Sequence, residues 1–337
     1  MNRFVLPSLL LLGVVLWGCL DGAPHENPLD PLSERFRNVG VIEGRATGVY
    51  AVSEGRADVR IRLLPLGGGS ERVTTTDETG AFQLTDVPAG TYLLRAEADG
   101  LQPEEVEVVV AATLAVRVDL RLNAEPVVLS ASARTAHSVQ VFPDAAVYTL
   151  MVEADVTDPD RSTDVETVEV VSAELRFRAP LAKGPDGRYH ATLDESVLPG
   201  GRIQSLLGRT LRIEVTDVFG ATAQGPTFSI ARVIELTPVL VSPQGSEVVS
   251  TPTPTFEWRE VLLPFSFTLA VEISLVDASG VPNLVQSVDG LPPFATSYTA
   301  EVPLSPGDYV WTLRITDPEG NTSRSRRAGF RVPSPSE

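Results

Sequence analysis

The chain carries few side chains suited to chemistry: one cysteine, one lysine (Lys183) and three histidines, against 44 carboxylates in 337 residues. Cys19 has no second thiol to pair with, so no internal disulfide can form. It stands directly behind a basic start at Arg3, an apolar stretch from Val5 to Trp17 and the small Gly18, the three parts of a secretory signal. That stretch falls short of the roughly 20 residues a membrane-spanning helix needs. Zinc needs three or four ligands close together, and His25, His137 and His190 stand alone, with no second histidine at helical spacing. Gly67-Gly68-Gly69-Ser70 lacks the lysine and the following helix of a phosphate-cradling loop and reads as a hairpin tip. No strand-to-helix serine elbow is present, and the expectation is a chain without catalytic residues. The strongest cation candidate is Asp158, Asp160, Ser162, Asp164 and Glu169, whose spacing suits a hard ion such as calcium. Thr163 occupies the place where a helix-flanked calcium loop requires glycine, so the spacing reads first as a solvated turn led by Asp158-Pro159-Asp160. No cofactor is expected, with calcium at Asp158, Asp160 and Asp164 as the alternative.

Leu16-Trp17-Gly18-Cys19, followed at once by polar residues, resembles the lipobox of a bacterial lipoprotein, although the family prefers a smaller residue than Trp17. The resemblance implies that the Cys19 thiol is alkylated with a diacylglyceryl group, that the Gly18–Cys19 bond is cut, and that in many bacteria the new amine is acylated. Two or three acyl chains hold a protein firmly to a bilayer, where one short chain does so only marginally. Leu20, in place of the aspartate that retains such proteins at an inner membrane, implies the cell envelope and, in a two-membrane bacterium, the outer membrane.

The elements that position these residues read as strands throughout. Tyr92, Leu94, Ala96 and Ala98 keep one phase, as do Val116, Val118, Leu120 and Leu122; Tyr148 to Ala154 and Phe265 to Leu275 repeat the pattern. No segment beyond the signal keeps a capped 3.6-residue period, so the fold class is all-β: three tandem β-sandwich domains. Breaks at Asn123-Ala124-Glu125-Pro126 and Glu235-Leu236-Thr237-Pro238 divide them. The expected layout is a signal peptide (1–18), a lipidated flexible tether (19–38), sandwiches at 39–123, 124–234 and 235–333, and a disordered tail (334–337). The strand and turn Arg212 to Gly220 recur as Thr312 to Gly320, which points to one architecture used twice. A phase slip between Val168, Val170 and Ala173, Leu175 predicts a bulge or bend near Val171 and Ser172.

Ile42-Glu43-Gly44-Arg45, the run Thr75 to Phe82, Leu84 to Tyr92 and Asp99-Gly100-Leu101 together resemble the carboxypeptidase regulatory-like domain, a small transthyretin-like sandwich. In carboxypeptidases that module is the non-catalytic companion of a zinc domain, and nothing in the sequence supplies the zinc domain. The physical reading agrees: Asp77 to Gly80 makes a tight hairpin turn, Phe82 and Leu84 enter the core, and Val87 to Gly90 turns the chain before Tyr92. Pro252 to Trp258, Gly307 to Trp311 and Asp317 to Asn321 resemble a fibronectin type III or bacterial immunoglobulin-like module. Trp258 shares its phase with Phe256, and Trp311 with Tyr309, Leu313 and Ile315; both tryptophans are expected in the core rather than on a sugar-stacking face.

The net charge of −17 argues against nucleic acid and anionic lipid surfaces as partners, since both need a cationic surface. The sequence therefore reads as a membrane-anchored surface lipoprotein, not an enzyme, that recognises a protein or glycan through loops or strand edges. The alternatives are a carbohydrate-binding or adhesion protein, a structural subunit of an envelope assembly, and a hydrolase with an acidic site.

Overall fold

The computed structural model describes residues 38–140, 145–245 and 247–334, with Asn27, Asp30, Leu32 and Ser33 before them. Cys19, His25 and most of the expected tether lie outside the described residues. The described chain is all-β, with twenty-four strands and three short 3-10 turns; among the described residues no helix is long and apolar enough to cross a membrane. It divides into two compact units, one carried by the chain to Asp99 with Pro103–Leu122, the other by Gly100–Gln102 with the chain from Asn123 onward.

The first unit contains β1 (Val39–Gly48), β2 (Arg60–Pro65), β3 (Arg72–Thr75), β4 (Ala81–Pro88), β5 (Gly90–Glu97), β6 (Glu104–Val110) and β7 (Ala115–Leu122). They form two sheets, β4-β1-β7 and β3-β2-β5-β6, with β1 and β7 parallel. The period-two residues face inward as read from the sequence: Phe82, Leu84, Tyr92, Leu94, Ala96, Leu120 and Leu122 are all buried. Gly44 is required where β1 meets β7, since a Cβ there would lie 1.8 Å from the Val118 carbonyl oxygen. Gly80 adopts a φ of +79°, and the Asp77 carboxylate accepts from the amides of Thr79 and Ala81, closing the turn. This turn is tight but not a hairpin: β3 pairs with β2 and β4 with β1, so it carries the chain from one sheet to the other. Gly67 to Ser70 does form a hairpin tip, between the paired strands β2 and β3.

The second unit begins with β8 (Val127–Gln140), β9 (Ala145–Thr157), β10 (Val165–Ser172), β11 (Phe177–Pro180), β12 (Ala182–Lys183), β13 (Tyr189–Asp194), β14 (Arg212–Asp217) and β15 (Thr222–Gln224). It continues with β16 (Leu240–Ser242), β17 (Glu247–Val248), β18 (Thr255–Trp258), β19 (Thr268–Val276), β20 (Pro282–Leu291), β21 (Ser297–Thr299), β22 (Gly307–Thr316), β23 (Thr322–Arg324) and β24 (Ala328–Val332). Two separate apolar cores lie within it, one around Leu150, Val170, Ile203 and Ile213, the other around Phe256, Trp258, Leu313 and Trp311. One ten-stranded sheet nevertheless runs through both sandwiches, in the order β12-β13-β9-β8-β23-β22-β19-β20, with β24 and β17 branching from it. The sheets β11-β10-β14-β15 and β16-β18-β21 cover it. The crossing point is the parallel pairing of β23 with β8, with Thr322 opposite Ala136 and Ser323 opposite His137.

The expected irregularity near Val171 and Ser172 resolves differently. β10 stays paired with β14 to Val171 and ends at Ser172, and the chain then turns through Ala173 to Arg176, where Arg176 takes a φ of +50°. The phase slip marks that turn; the register shift of β10 falls between Val165 and Thr167.

Candidate functional site

Asp158 to Asp164 join β9, in the long sheet, to β10, in the opposite one, so the loop closes one end of a sandwich. Asp158 accepts the Asp160 amide at 2.8 Å, an Asx turn that Pro159 favours. The Asp164 carbonyl accepts the Val218 amide at 2.8 Å, which places this residue beside the end of β14. There Asp217, wholly buried, accepts the amides of Phe219 and Ala221 on one oxygen and the Asn123 side-chain amide at 2.6 Å on the other. The next residue, Ala124, donates its amide to Asp160 at 2.7 Å. The loop thus gathers Asp158, Asp160 and Asp164, read from the sequence, with Asp217 and Asn123, which were not.

Glu169 does not join them, being ion-paired with Arg178 of β11, and Ser162 is exposed. Asp158, Asp164 and Asn123 are buried, yet Oδ2 of Asp158, Oδ2 of Asp164 and Oδ1 of Asn123 have no hydrogen-bond partner. Burial pushes the Asp158 carboxyl above its usual range; the Asp160 and Arg161 amides oppose the rise, and the negative charges of Asp217 and Asp160 add to it. Among the described residues no three of His, Cys, Asp or Glu form a ready-made metal set; the unpartnered oxygens are two carboxylate and one amide.

The repeat seen in the sequence is structural. Asp317, directly after β22 as Asp217 stands at the end of β14, accepts the amide four residues on at 2.8 Å, and the glycine three residues on has a φ of +85° in both. Each grips the segment leading into its own sandwich. Asp217 holds Asn123, whereas Asp317 takes the guanidinium of Arg232 at 2.9 Å and the Asn321 side-chain amide at 2.9 Å. Asn321 in turn accepts the Thr135 amide of β8 at 2.9 Å, tying the last sandwich to the one before.

The histidines go to separate places. His137, buried at the joint, stacks on Tyr148 with ring centroids 4.2 Å apart and holds the Ile234 carbonyl oxygen through Nδ1 at 3.1 Å. Burial lowers its pKa, against the raising effects of that carbonyl and of Glu235 and Glu195. His190 sits on an exposed hairpin with Asp186 at 3.0 Å. Trp258 and Trp311 lie in the core as expected, their indole N–H groups donating to the carbonyls of Ala295 and Pro243. The cleft over the joint is lined by Arg134, His137, Met151, Arg314 and Arg324 and carries no carboxylate pair.

At the far end of the long sheet, β20 pairs only with β19 among the described strands, and Leu284 and Val285 on it are exposed. The register breaks twice along this pair, between Leu269 and Val271 and between Ile273 and Ser274, devices that twist an edge away from indiscriminate pairing.

The first unit has two sheets, the Asp77–Gly80 crossing turn, and Tyr92 donating to the Pro88 carbonyl at 2.8 Å after Gly90. Residues 42–123 match the carboxypeptidase regulatory-like domain. That match covers the first unit and not the sandwiches after it. Among curated proteins none matches the chain. Among solved structures, the major pilin subunit BcpA of Bacillus cereus is similar at 12% identity over 88% of this chain and 98% of that one, with a TM-score of 0.29. The FN1-FN3 domains of chicken CNTN1 are similar at 11% identity over 83% of this chain and 93% of that one, with a TM-score of 0.33. A DUF3823 family protein from Parabacteroides merdae is similar at 13% identity over 57% of this chain and 98% of that one, with a TM-score of 0.24.

Proposed function

We propose that the chain is a non-catalytic binding and scaffold protein of the cell envelope, held to a membrane by lipid on Cys19, its β-sandwiches presenting a recognition surface. The observation that carries the scaffold reading is the joint between the two later sandwiches. Modules strung on a free linker pivot; these share a sheet through β8 and β23, and the buried Thr135, His137, Asn321 and Ser323 fill the crossing with hydrogen bonds. A stiff two-sandwich element with its sheet edge at β20 is suited to presenting that edge to a partner. The free main-chain groups of β20, flanked by exposed Leu284 and Val285, favour an extended segment of a protein partner over a sugar. Trp258 and Trp311 are buried and so offer no sugar-stacking face. The net charge of −17 keeps nucleic acid out of the reading.

The anchor is tested by labelling cells with a fatty acid and fractionating their membranes. The wild-type chain should take up label and sediment with membrane, and Cys19→Ala should do neither. Label retained by Cys19→Ala would overturn the anchor.

A further inference from the structure

Asp217, the last residue of β14, and Asp317, the residue after β22, do the same structural work with different counterparts. Asp317 is neutralised by Arg232 at 2.9 Å, a fixed cation delivered by the segment entering its sandwich. At the corresponding place Asp217 meets only the neutral side-chain amide of Asn123 among the groups that enter with its own leading segment. Around Asp217 the chain adds the negative charge of Asp158, which itself faces Asp160, and the Asp164 carbonyl is tied to Val218, the residue after Asp217. Three oxygens there, from side chains at least nine-tenths buried, have no partner. A buried carboxylate oxygen without hydrogen bond or counter-charge is costly enough that proteins keep such groups chiefly where they bind an ion.

We infer that the buried, unpartnered oxygens of Asp158, Asp164 and Asn123, beside Asp217, are a binding site for a hard divalent cation of the calcium type, which does for Asp217 what Arg232 does for Asp317. The donors decide the class. All are oxygens, with no imidazole or thiolate, which excludes a zinc or copper preference. Two carboxylates from one loop and an amide oxygen from an entering segment form the irregular and adaptable shell that calcium accepts and that the strict octahedron of magnesium does not. Asp158 Oδ2, Asp164 Oδ2 and Asn123 Oδ1 are the first ligands; Asp217 and Asp160 stand behind them, already holding the Asn123 side chain and the Ala124 amide. A bound ion would therefore lock the entering segment Asn123–Ala124 onto the β9–β10 loop. The set differs from a calcium loop read along the sequence, because Glu169 is absent and Asn123 enters from outside the run.

The test uses the detergent-solubilised full chain, stripped with chelator and titrated with calcium, magnesium or sodium chloride. Equilibrium dialysis with radiocalcium should show one ion per chain, bound in preference to magnesium. Asp158→Asn and Asp164→Asn should each weaken binding by about tenfold or more, while Glu166→Gln, an exposed neighbour on β10, leaves it unchanged. Should the aspartate variants fail to fold, hydrogen exchange of the wild-type chain still decides: calcium should slow the amides of Ala124, Asp160 and Ala221 and leave those of the last sandwich unaltered. No radiocalcium retained at millimolar concentration, binding that survives both substitutions, or slowing confined to other segments would each overturn the site.

Discussion

Replacing Asn321 by alanine probes the joint on which the scaffold reading depends. The side chain is buried, accepts the Thr135 amide at 2.9 Å and the Thr135 hydroxyl at 3.1 Å, and donates to Asp317 at 2.9 Å. Alanine leaves the Thr135 N–H buried without an acceptor, which costs about 2 kcal/mol. Asp317 keeps Arg232 and the residue-321 amide but loses one charge-assisted bond, worth about 1.5 kcal/mol. Together these put the loss at about 3 to 4 kcal/mol, shared by both sandwiches because the bonds cross between them. Urea unfolding followed by tryptophan fluorescence reads this well, since Trp258 and Trp311 both lie in the last core. The last sandwich should melt in one transition, and Asn321→Ala should lower its midpoint. Asn283→Ala, an exposed amide on β20, should move it by no more than about 0.5 kcal/mol. An Asn321→Ala curve that overlays the wild type would refute the shared joint.

In the first unit, Gly44→Ala should cost about 3 kcal/mol or more, because the parallel pairing of β1 and β7 must open to admit the methyl group; Gly67→Ala, with open space around it, should be neutral, and circular dichroism melts compare the two. His137 is held neutral by burial below its ordinary value of 6.5, so the unfolded chain binds the extra proton first as pH falls. The stability it contributes is therefore complete above that value and lost below it, and urea midpoints should drop between about pH 7.5 and about pH 5.5 in the wild type more than in His137→Gln. Tyr309→Phe removes the bond to the Ser305 carbonyl and should lower the last sandwich's stability by about 1 kcal/mol in the same fluorescence assay.

The strands were legible wherever an apolar residue alternated with a polar one, and the repeat was legible because Asp217 and Asp317 each need the same turn with a left-handed glycine behind it. What escaped is polar or distant. β8 reads Ser-Ala-Ser-Ala-Arg-Thr-Ala-His over residues 130–137, so it has no apolar phase to announce a strand, and its outer edge meets β23 through Thr135 and His137 rather than through a hydrophobic face. The acidic loop was visible as a spacing, but spacing along one loop cannot reveal that Asn123 and Asp217 come in from elsewhere, or that Glu169 turns toward Arg178. The turn at Asp77 to Gly80 was placed correctly, but local turn chemistry is the same whether the flanking strands pair or diverge. Cys19 and His25 lie outside the described residues, so the anchor rests on the sequence alone.

The most direct test of the binding reading is photo-crosslinking in intact cells, with the photoreactive residue placed at Leu284 on the β20 edge or, as a reference, at Leu114 in the turn after β6. Both positions are exposed. The account predicts a discrete protein adduct from position 284, lost when Val285 is changed to Lys, and none from position 114. Adducts of equal yield from both positions, or none from position 284, would contradict it.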